Sequence, residues 1–371
     1  MTLTLLGDFN LTFTEYFDHH MLKEVLEEPE VIRRTIEEER DNIKNVASEI
    51  ASKVFDIVYI TGSGTSYHAG LVAQYALSSL TNLASSTIPA SEFQRWVPPS
   101  ISRRSLVVAI SQSGESSDII DAVKYAVKRK MRVLAVTNTP GSSLANLADY
   151  VIIPRSGKEI AVPATKTYVA QLTAVLMFAI ELAAFKESET DISILREKFF
   201  KVPLLVEEIL KFYRENIRET ATKYKDKNLI FALGSGPNYA TALETALKLK
   251  ETCMVFAEGF ATREFLHGPI RLVDERTLMI LISPMEEVND YIELSRSFRS
   301  FGAKVISVLE KTENSDAFLK FFDDVFFVPY ELPKIFSPII FIVPLQLFTY
   351  YVAIFKGLNP DKPEKLVKVV K

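Results

Sequence analysis

"IVYITGSGTSYHAGLVAQYAL" (57–77) and "LIFALGSGPNYATALETALKL" (229–249) are two versions of one pattern. Each opens with a β-branched apolar run, passes through a glycine turn, and continues with small and apolar residues at helical spacing. Gly62 and Gly234 stand 172 residues apart, as do Ser111 in "VVAISQS" and Ser283 in "LMILISP", and Val133 in "RVLAVTN" and Val305 in "KVISVLE". "YVIIP" (150–154) and "VFFVP" (325–329) close the two copies, with the offset slipped to 175 at Pro154 and Pro329. A register kept this long marks a tandem repeat. Short apolar strands alternating with amphipathic helices predict parallel strands joined by right-handed crossovers. The expected fold is therefore α/β: two tandem domains, each a doubly wound parallel sheet flanked by helices. We divide the chain into an N-terminal helical segment (1–50), a first domain (51–220), a second domain (221–356) and a tail (357–371). The helical stretch 20–54 is interrupted at Pro29; two long helices are expected over 167–185 and 194–217, with a new one starting near Pro203.

Composition narrows the function. The 371 residues are 48% hydrophobic and 24% charged, with a formal net charge of −4, which gives no electrostatic reason to expect nucleic acid or an anionic membrane as partner. A single cysteine, Cys253, rules out an internal disulfide and suits a reducing, cytoplasmic setting. "MTLTLLGDFNLTF" (1–13) lacks the pattern of a signal peptide. "FSPIIFIVPLQLFTYYVAIF" (336–355) has the length of a membrane span, but two prolines, Gln346 and Thr349 dilute it; a helix buried between layers is expected instead.

Ligands of open parallel sheets bind beyond the carboxyl ends of the strands. "GSGTS" (62–66) falls there but lacks the spacing of a dinucleotide site, and no ATP-binding loop is present, so no cofactor is expected. "AISQSGES" (109–116) falls there too, as a strand-to-helix turn. One serine could serve as the helix cap. Ser111, Ser113, Ser116 and Ser117 with Gln112 exceed that need, and neutral donors around a helix N-terminus suit a phosphate monoester. The second copy carries "SPMEEV" at the same place, whose acids would repel phosphate.

The second copy instead supplies ionisable side chains. Glu244, Lys248 and Glu251 recur at helical spacing, followed by Glu258, Glu264 and His267 in "REFLHGP". An i,i+4 Glu–Lys pair ordinarily decorates a surface; near a sheet's carboxyl edge it is also a proton-transfer couple. The four histidines of the chain form no metal-ligand cluster. The tail carries Lys362, Lys365, Lys368 and Lys371, with Leu366, Val367, Val369 and Val370 as apolar residues that would dock it.

"GSGTSYHAG", "ASEF", "SQSGESSDI", "ALETALKLKE", "EFLHGPI" and the Lys-rich tail together resemble the SIS-domain sugar-phosphate isomerases. The likeness is to the isomerase half of glucosamine-6-phosphate synthase and to SIS-type glucosamine-6-phosphate deaminases, and it spans nearly the whole chain. It implies a phosphate site at Ser111, Gln112, Ser113 and Ser116, with Thr65, Ser66, Val162, Ala164, Glu244 and Val367 around the sugar. It implies Glu251 as the base moving a proton between C1 and C2, Lys248 as its neighbour in proton handling, His267 as the ring-opening residue reaching in from a second subunit of a homodimer, and Lys368 as the Schiff-base lysine. Such a lysine must be neutral to attack, so desolvation or a neighbouring cation is expected beside Lys368. Ala164 stands where the synthase has a serine, and Ser116 replaces a threonine. The chain begins Met-Thr, without the N-terminal cysteine of a glutaminase. The expected substrates are a phosphorylated hexose or amino sugar and ammonia, used in the deaminating direction or, alternatively, for synthesis with ammonia from a separate glutaminase. A regulator that senses a sugar phosphate without catalysis is the alternative of another class.

Overall fold

The computed structural model describes residues 19–98, 104–186, 191–329 and 332–369. The stretch read for a leader (1–13), and Val370 and Lys371 of the tail, lie outside the described residues. Two helices come first, α1 (His20–Leu26) and α2 (Glu28–Ala51), and Pro29 sits in the first turn of α2, where its missing N–H costs nothing. The first repeat follows: β1 (Ile57–Gly62), α3 (Thr65–Thr81), β2 (Ser85–Pro89), α4 (Ala90–Trp96), β3 (Ser105–Ile110), α5 (Ser117–Lys128), β4 (Arg132–Val136), α6 (Ser143–Leu147) and β5 (Tyr150–Ile152). The connection consists of α7 (Lys166–Ala184), α8 (Ile192–Phe200), α9 (Val202–Phe212) and α10 (Arg214–Tyr224). The second repeat comprises β6 (Leu229–Gly234), α11 (Asn238–Cys253), β7 (Phe256–Ala261), β8 (Thr277–Ser283), α12 (Val288–Ser300), β9 (Lys304–Lys311) and β10 (Asp324–Pro329), and α13 (Ser337–Phe355) closes it. The helical stretch expected over 194–217 is three helices, and one of them, α9, starts near Pro203 as expected, with a further break at Tyr213.

Both sheets are five-stranded and parallel, in the orders β2-β1-β3-β4-β5 and β10-β9-β8-β6-β7. Taken from its own first strand, each has the order 2-1-3-4-5, so the repeat in sequence is a repeat in topology. The two glycines that opened the pattern are required by the same close approach. A Cβ at Gly62 would lie 2.8 Å from the Ser66 backbone carbonyl, and one at Gly234 would lie 2.1 Å from the Asn238 carbonyl oxygen. Only glycine lets each strand run this tightly into its helix.

Side chains alternate across the first sheet: Val58, Ile60, Leu106, Val108 and Ile110 face a core shared with the second sheet, while Tyr59, Val107 and Ala109 pack under α4 and α5. The second sheet divides in the same way, with Phe231, Leu233, Met279 and Leu281 under α12. The shared core is filled by α7 and α13, and α3 lies directly against α11. Among the described residues two helices are long and apolar enough to cross a membrane, Lys166–Ala184 and Lys334–Phe355, and their apolar windows are 94% and 89% buried inside this protein. The stretch 336–355 is thus a core helix between the sheets.

Burial pushes the carboxyls of Glu24 and Glu310 up to about 7, whereas both titrate in the ordinary range once the chain unfolds. The folded state therefore holds more protons between about pH 4.5 and 7, and these groups lose their stabilising contribution as pH rises through that window. Thermal midpoints measured at pH 5 and pH 8 should fall further for the parent than for a Glu24→Gln, Glu310→Gln double variant. An equal fall in both would remove these carboxyls as the cause.

Candidate active site

The hydroxyl-rich turn leaves β3, the fully buried central strand, and enters α5. Its backbone is tied to the neighbouring loop: the Gln112 carbonyl accepts from the Asn138 N–H and the Thr139 hydroxyl, each at 3.2 Å, and the Gly114 carbonyl accepts from the Leu144 N–H at 3.0 Å. The Glu115 carboxylate accepts from both the N–H and the hydroxyl of Ser143 at 2.8 Å. Gly114 has φ +65°, and a Cβ there would lie 2.2 Å from Ser142 Oγ, so the turn has one shape. Ser111 Oγ accepts from the Gly114 N–H at 3.1 Å, and Ser113 Oγ from the Glu115 N–H at 3.2 Å, which leaves each hydroxyl proton free to be donated elsewhere. Ser116 has N-cap backbone geometry yet makes no side-chain cap bond. The capping alternative is therefore not realised, and these hydroxyls line a cavity of about 180 Å³.

The opposite wall comes from the second repeat. On α11, Lys248 Nζ lies 2.5 Å from Glu251 Oε2 and 3.4 Å from Glu244 Oε1. Glu244 also accepts from Thr65 Oγ1 at 3.0 Å and lies 2.6 Å from His68 Nδ1. Glu244 and Lys248 are buried, so they are no surface pair. Burial alone would neutralise them. The Lys248 charge and the His68 and Thr65 contacts outweigh it and hold the Glu244 carboxyl below its usual range, while Glu244 and Glu251 likewise hold Lys248 as an ammonium. Glu251 reaches the cavity; Glu244, expected against the sugar, instead lies beneath it, bound entirely to protein groups.

The tail forms the third wall. Asp361 accepts from the His20 and Met21 N–H groups at 2.8 Å, and the Val162 N–H donates to the Asp361 carbonyl at 2.9 Å. Lys368 Nζ then donates to the buried Glu159 at 2.5 Å and to the Ala161 carbonyl at 2.6 Å. Leu366 and Val367 line the cavity but are 41% and 66% exposed, so these two do not anchor the tail by apolar burial. The Lys368 side chain is 26% exposed, so it is partly desolvated as expected, and its contacts are the Glu159 carboxylate and the Ala161 and Val162 carbonyls.

Thr65, Ser66, Val162 and Ala164 also line the cavity, and Ser66 Oγ accepts from Gln171 Nε2 at 3.0 Å. His267 does not; it is exposed on a single turn (Glu264–His267) beyond the edge strand β7. Sequence reasoning missed Glu159, His68, Gln171 and Asp361. None belongs to a spaced pattern, and only Glu159, as a lone acid before the "ATKT" helix start, offered any signal. Among the described residues no cluster of His, Cys, Asp and Glu could hold a metal ion. In the second repeat the Met285 N–H, at the position matching Ser113, donates to the repeat's own Glu310 carboxylate at 2.6 Å.

Replacing Ser111 and Ser113 by alanine removes two donors toward an anion, each bond to a charged group being worth about 1.5–3 kcal/mol. Affinity for a phosphate monoester, measured by calorimetry, should fall at least about tenfold while the thermal midpoint holds. Unchanged affinity would detach the turn from anion binding.

The SIS domain family matches twice, over residues 56–181 and 223–356. The chain is 40% identical over 357 residues to the glutamine–fructose-6-phosphate aminotransferase (isomerizing) of Thermococcus kodakarensis, and 37% identical over 366 residues to that of Clostridium tetani. It covers 95% of itself in both and 58% and 59% of those relatives, so it spans about three-fifths of their length. Among solved structures it matches the C-terminal domain of glucosamine-fructose-6-phosphate aminotransferase from Francisella tularensis, with TM-score 0.85, 31% identity, and 94% and 99% of the two chains covered. A glucosamine-6-phosphate deaminase from Thermotoga maritima matches with TM-score 0.76, 25% identity, and 95% and 99% covered. With the family pattern matched in both repeats, over most of its length, the chain belongs to the SIS domain family, of which it carries two domains.

Proposed function

We propose that this chain is a sugar-phosphate isomerase that interconverts glucosamine-6-phosphate with fructose-6-phosphate and ammonia. The observation that carries the reading is one cavity walled by a hydroxyl-rich turn, a carboxylate–ammonium couple and a tail lysine. The turn takes the phosphate. In the deaminating direction Glu251 removes the C2 proton of the open-chain amino sugar and returns it to C1, leaving an imine at C2. The Lys368 amine exchanges with that imine, forming a Schiff base and releasing ammonia, and water then frees the keto sugar and the lysine. Lys368 must first pass its proton on, and Glu159 stands in contact to accept it. His267, exposed and remote from this cavity, fits a role in the cavity of a second copy within a homodimer.

The synthetic direction, with ammonia from a partner glutaminase, is the second reading, and the aminotransferase relatives at 37–40% identity favour it. The only thiol of these 371 residues is Cys253. It is buried, burial pushes it up to about 12, and it contacts the Thr349 carbonyl, so it is no nucleophile for glutamine. Either direction belongs to the cytoplasm. A sensor would need the turn alone and would gain nothing from a buried Lys248 against Glu251.

The test is ammonia release from glucosamine-6-phosphate, and its reverse from fructose-6-phosphate and ammonium, with and without glutamine. Turnover in neither direction, with the sugar phosphate still bound, would replace the enzyme by a sensor. Glu251→Gln should keep binding within a few-fold and lose about 10²–10⁴-fold in turnover. Borohydride added with fructose-6-phosphate should trap a covalent adduct on Lys368, seen by peptide mass; an adduct elsewhere would reassign the Schiff-base role.

A further inference from the structure

We propose that His68 is a positioning residue for the Glu251 base, acting across the repeat interface through Glu244 and Lys248; the inference rests on the reaction proposed above. His68 lies on α3 of the first repeat and the other three groups on α11 of the second, and His68 does not line the cavity. The argument begins with charge. Helix α11 sets two carboxylates against one ammonium, and the ammonium stands nearer Glu251, at 2.5 Å, than Glu244, at 3.4 Å. Glu244 tolerates this because His68 Nδ1, at 2.6 Å, and the Thr65 hydroxyl, at 3.0 Å, occupy its oxygens. A carboxylate only accepts, so Nδ1 carries the proton.

Without that donor, Glu244 would be a fully buried carboxylate with one of its oxygens unpartnered, held only by a hydroxyl and the ammonium at 3.4 Å, an arrangement that burial penalises. The nearest relief is for Lys248 to close on Glu244. That motion slackens its contact with Glu251, which then loses the neighbouring positive charge that favours its ionised form. The remaining ionisable groups facing the cluster bring it no positive charge. Tyr168 on α7 is buried, and burial followed by the Glu244 charge keeps its phenol neutral. Glu159, before α7, is an anion already engaged with Lys368. Thr65 already donates its single hydroxyl proton to Glu244.

The test compares two amides at one position. His68→Asn keeps a donor where Nδ1 stands; His68→Gln keeps bulk but moves the donor one bond further out, and His68→Ala removes it. For the Gln and Ala variants the expected result is a kcat at least tenfold lower, a KM within about threefold, and an acidic limb of the kcat–pH profile shifted up by about one unit. The Asn variant should restore the parent profile. A loss variant that folds, confirmed by its thermal midpoint, and retains the parent's acidic limb would overturn the proposal; so would an equal shift in the Asn variant. Carbon-13 titration of the labelled Glu251 carboxyl gives the same comparison without turnover. An upward shift there in an enzyme that processes no sugar phosphate would fault the proposed reaction and leave the coupling standing, and no shift would fault the coupling itself.

Discussion

An ammonium buried between two helices is the constraint on which the site depends. Lys248 is 1% exposed, and a lone ion there would be untenable. It survives because α11 itself supplies carboxylates on both sides, and α3 of the other repeat, which helps to bury it, adds a hydroxyl as acceptor. Breaking a buried pair of this kind costs about 3–5 kcal/mol. The interface that joins the sheets and the cluster beneath the cavity are therefore one structure.

Around that cluster the remaining walls are held by polar anchors at loops. The serine turn is pinned by backbone bonds to residues 138–144, and its Ser111 and Ser113 oxygens accept from within the turn, which leaves their protons to be donated elsewhere. The tail is fixed twice, by Asp361 on two free N–H groups at the start of α1 and by Lys368 on Glu159. Glu159 is itself preset by the Thr165 and Thr167 N–H groups and the Thr167 hydroxyl, all at the start of α7. A carboxylate suits such a helix start, and it doubles as the receptor for the tail.

The two repeats show how one topology divides labour. Both end their third strand in a turn at the carboxyl edge of the sheet. In the first the hydroxyls of the turn line a cavity; in the second the Glu310 carboxyl accepts from the Met285 N–H and Lys334 neutralises Glu287 nearby. An internal carboxyl thus closes the second turn, while the second repeat contributes its first helix, α11, to the cavity of the first.

Much of this was legible in the chain itself. A period of two in the strands, 3.6 in the helices and 172 between Gly62 and Gly234 are local or self-referential patterns, and they determined two parallel sheets of like topology and the place of the serine turn. The spacing of Glu244, Lys248 and Glu251 likewise determined that they share a helix side. Which partners those side chains meet was decided only in three dimensions. Glu244 went beneath the cavity because His68 and Thr65, from 176 and 179 residues away, complete its hydrogen bonds. Asp361 and Lys368 of the tail met the start of α1 and Glu159, while Leu366 and Val367 stayed exposed and His267 stayed outside the cavity. Periodicity reports which face of an element is buried; the identity of a charge's partner depends on packing between distant elements, which leaves no period to read.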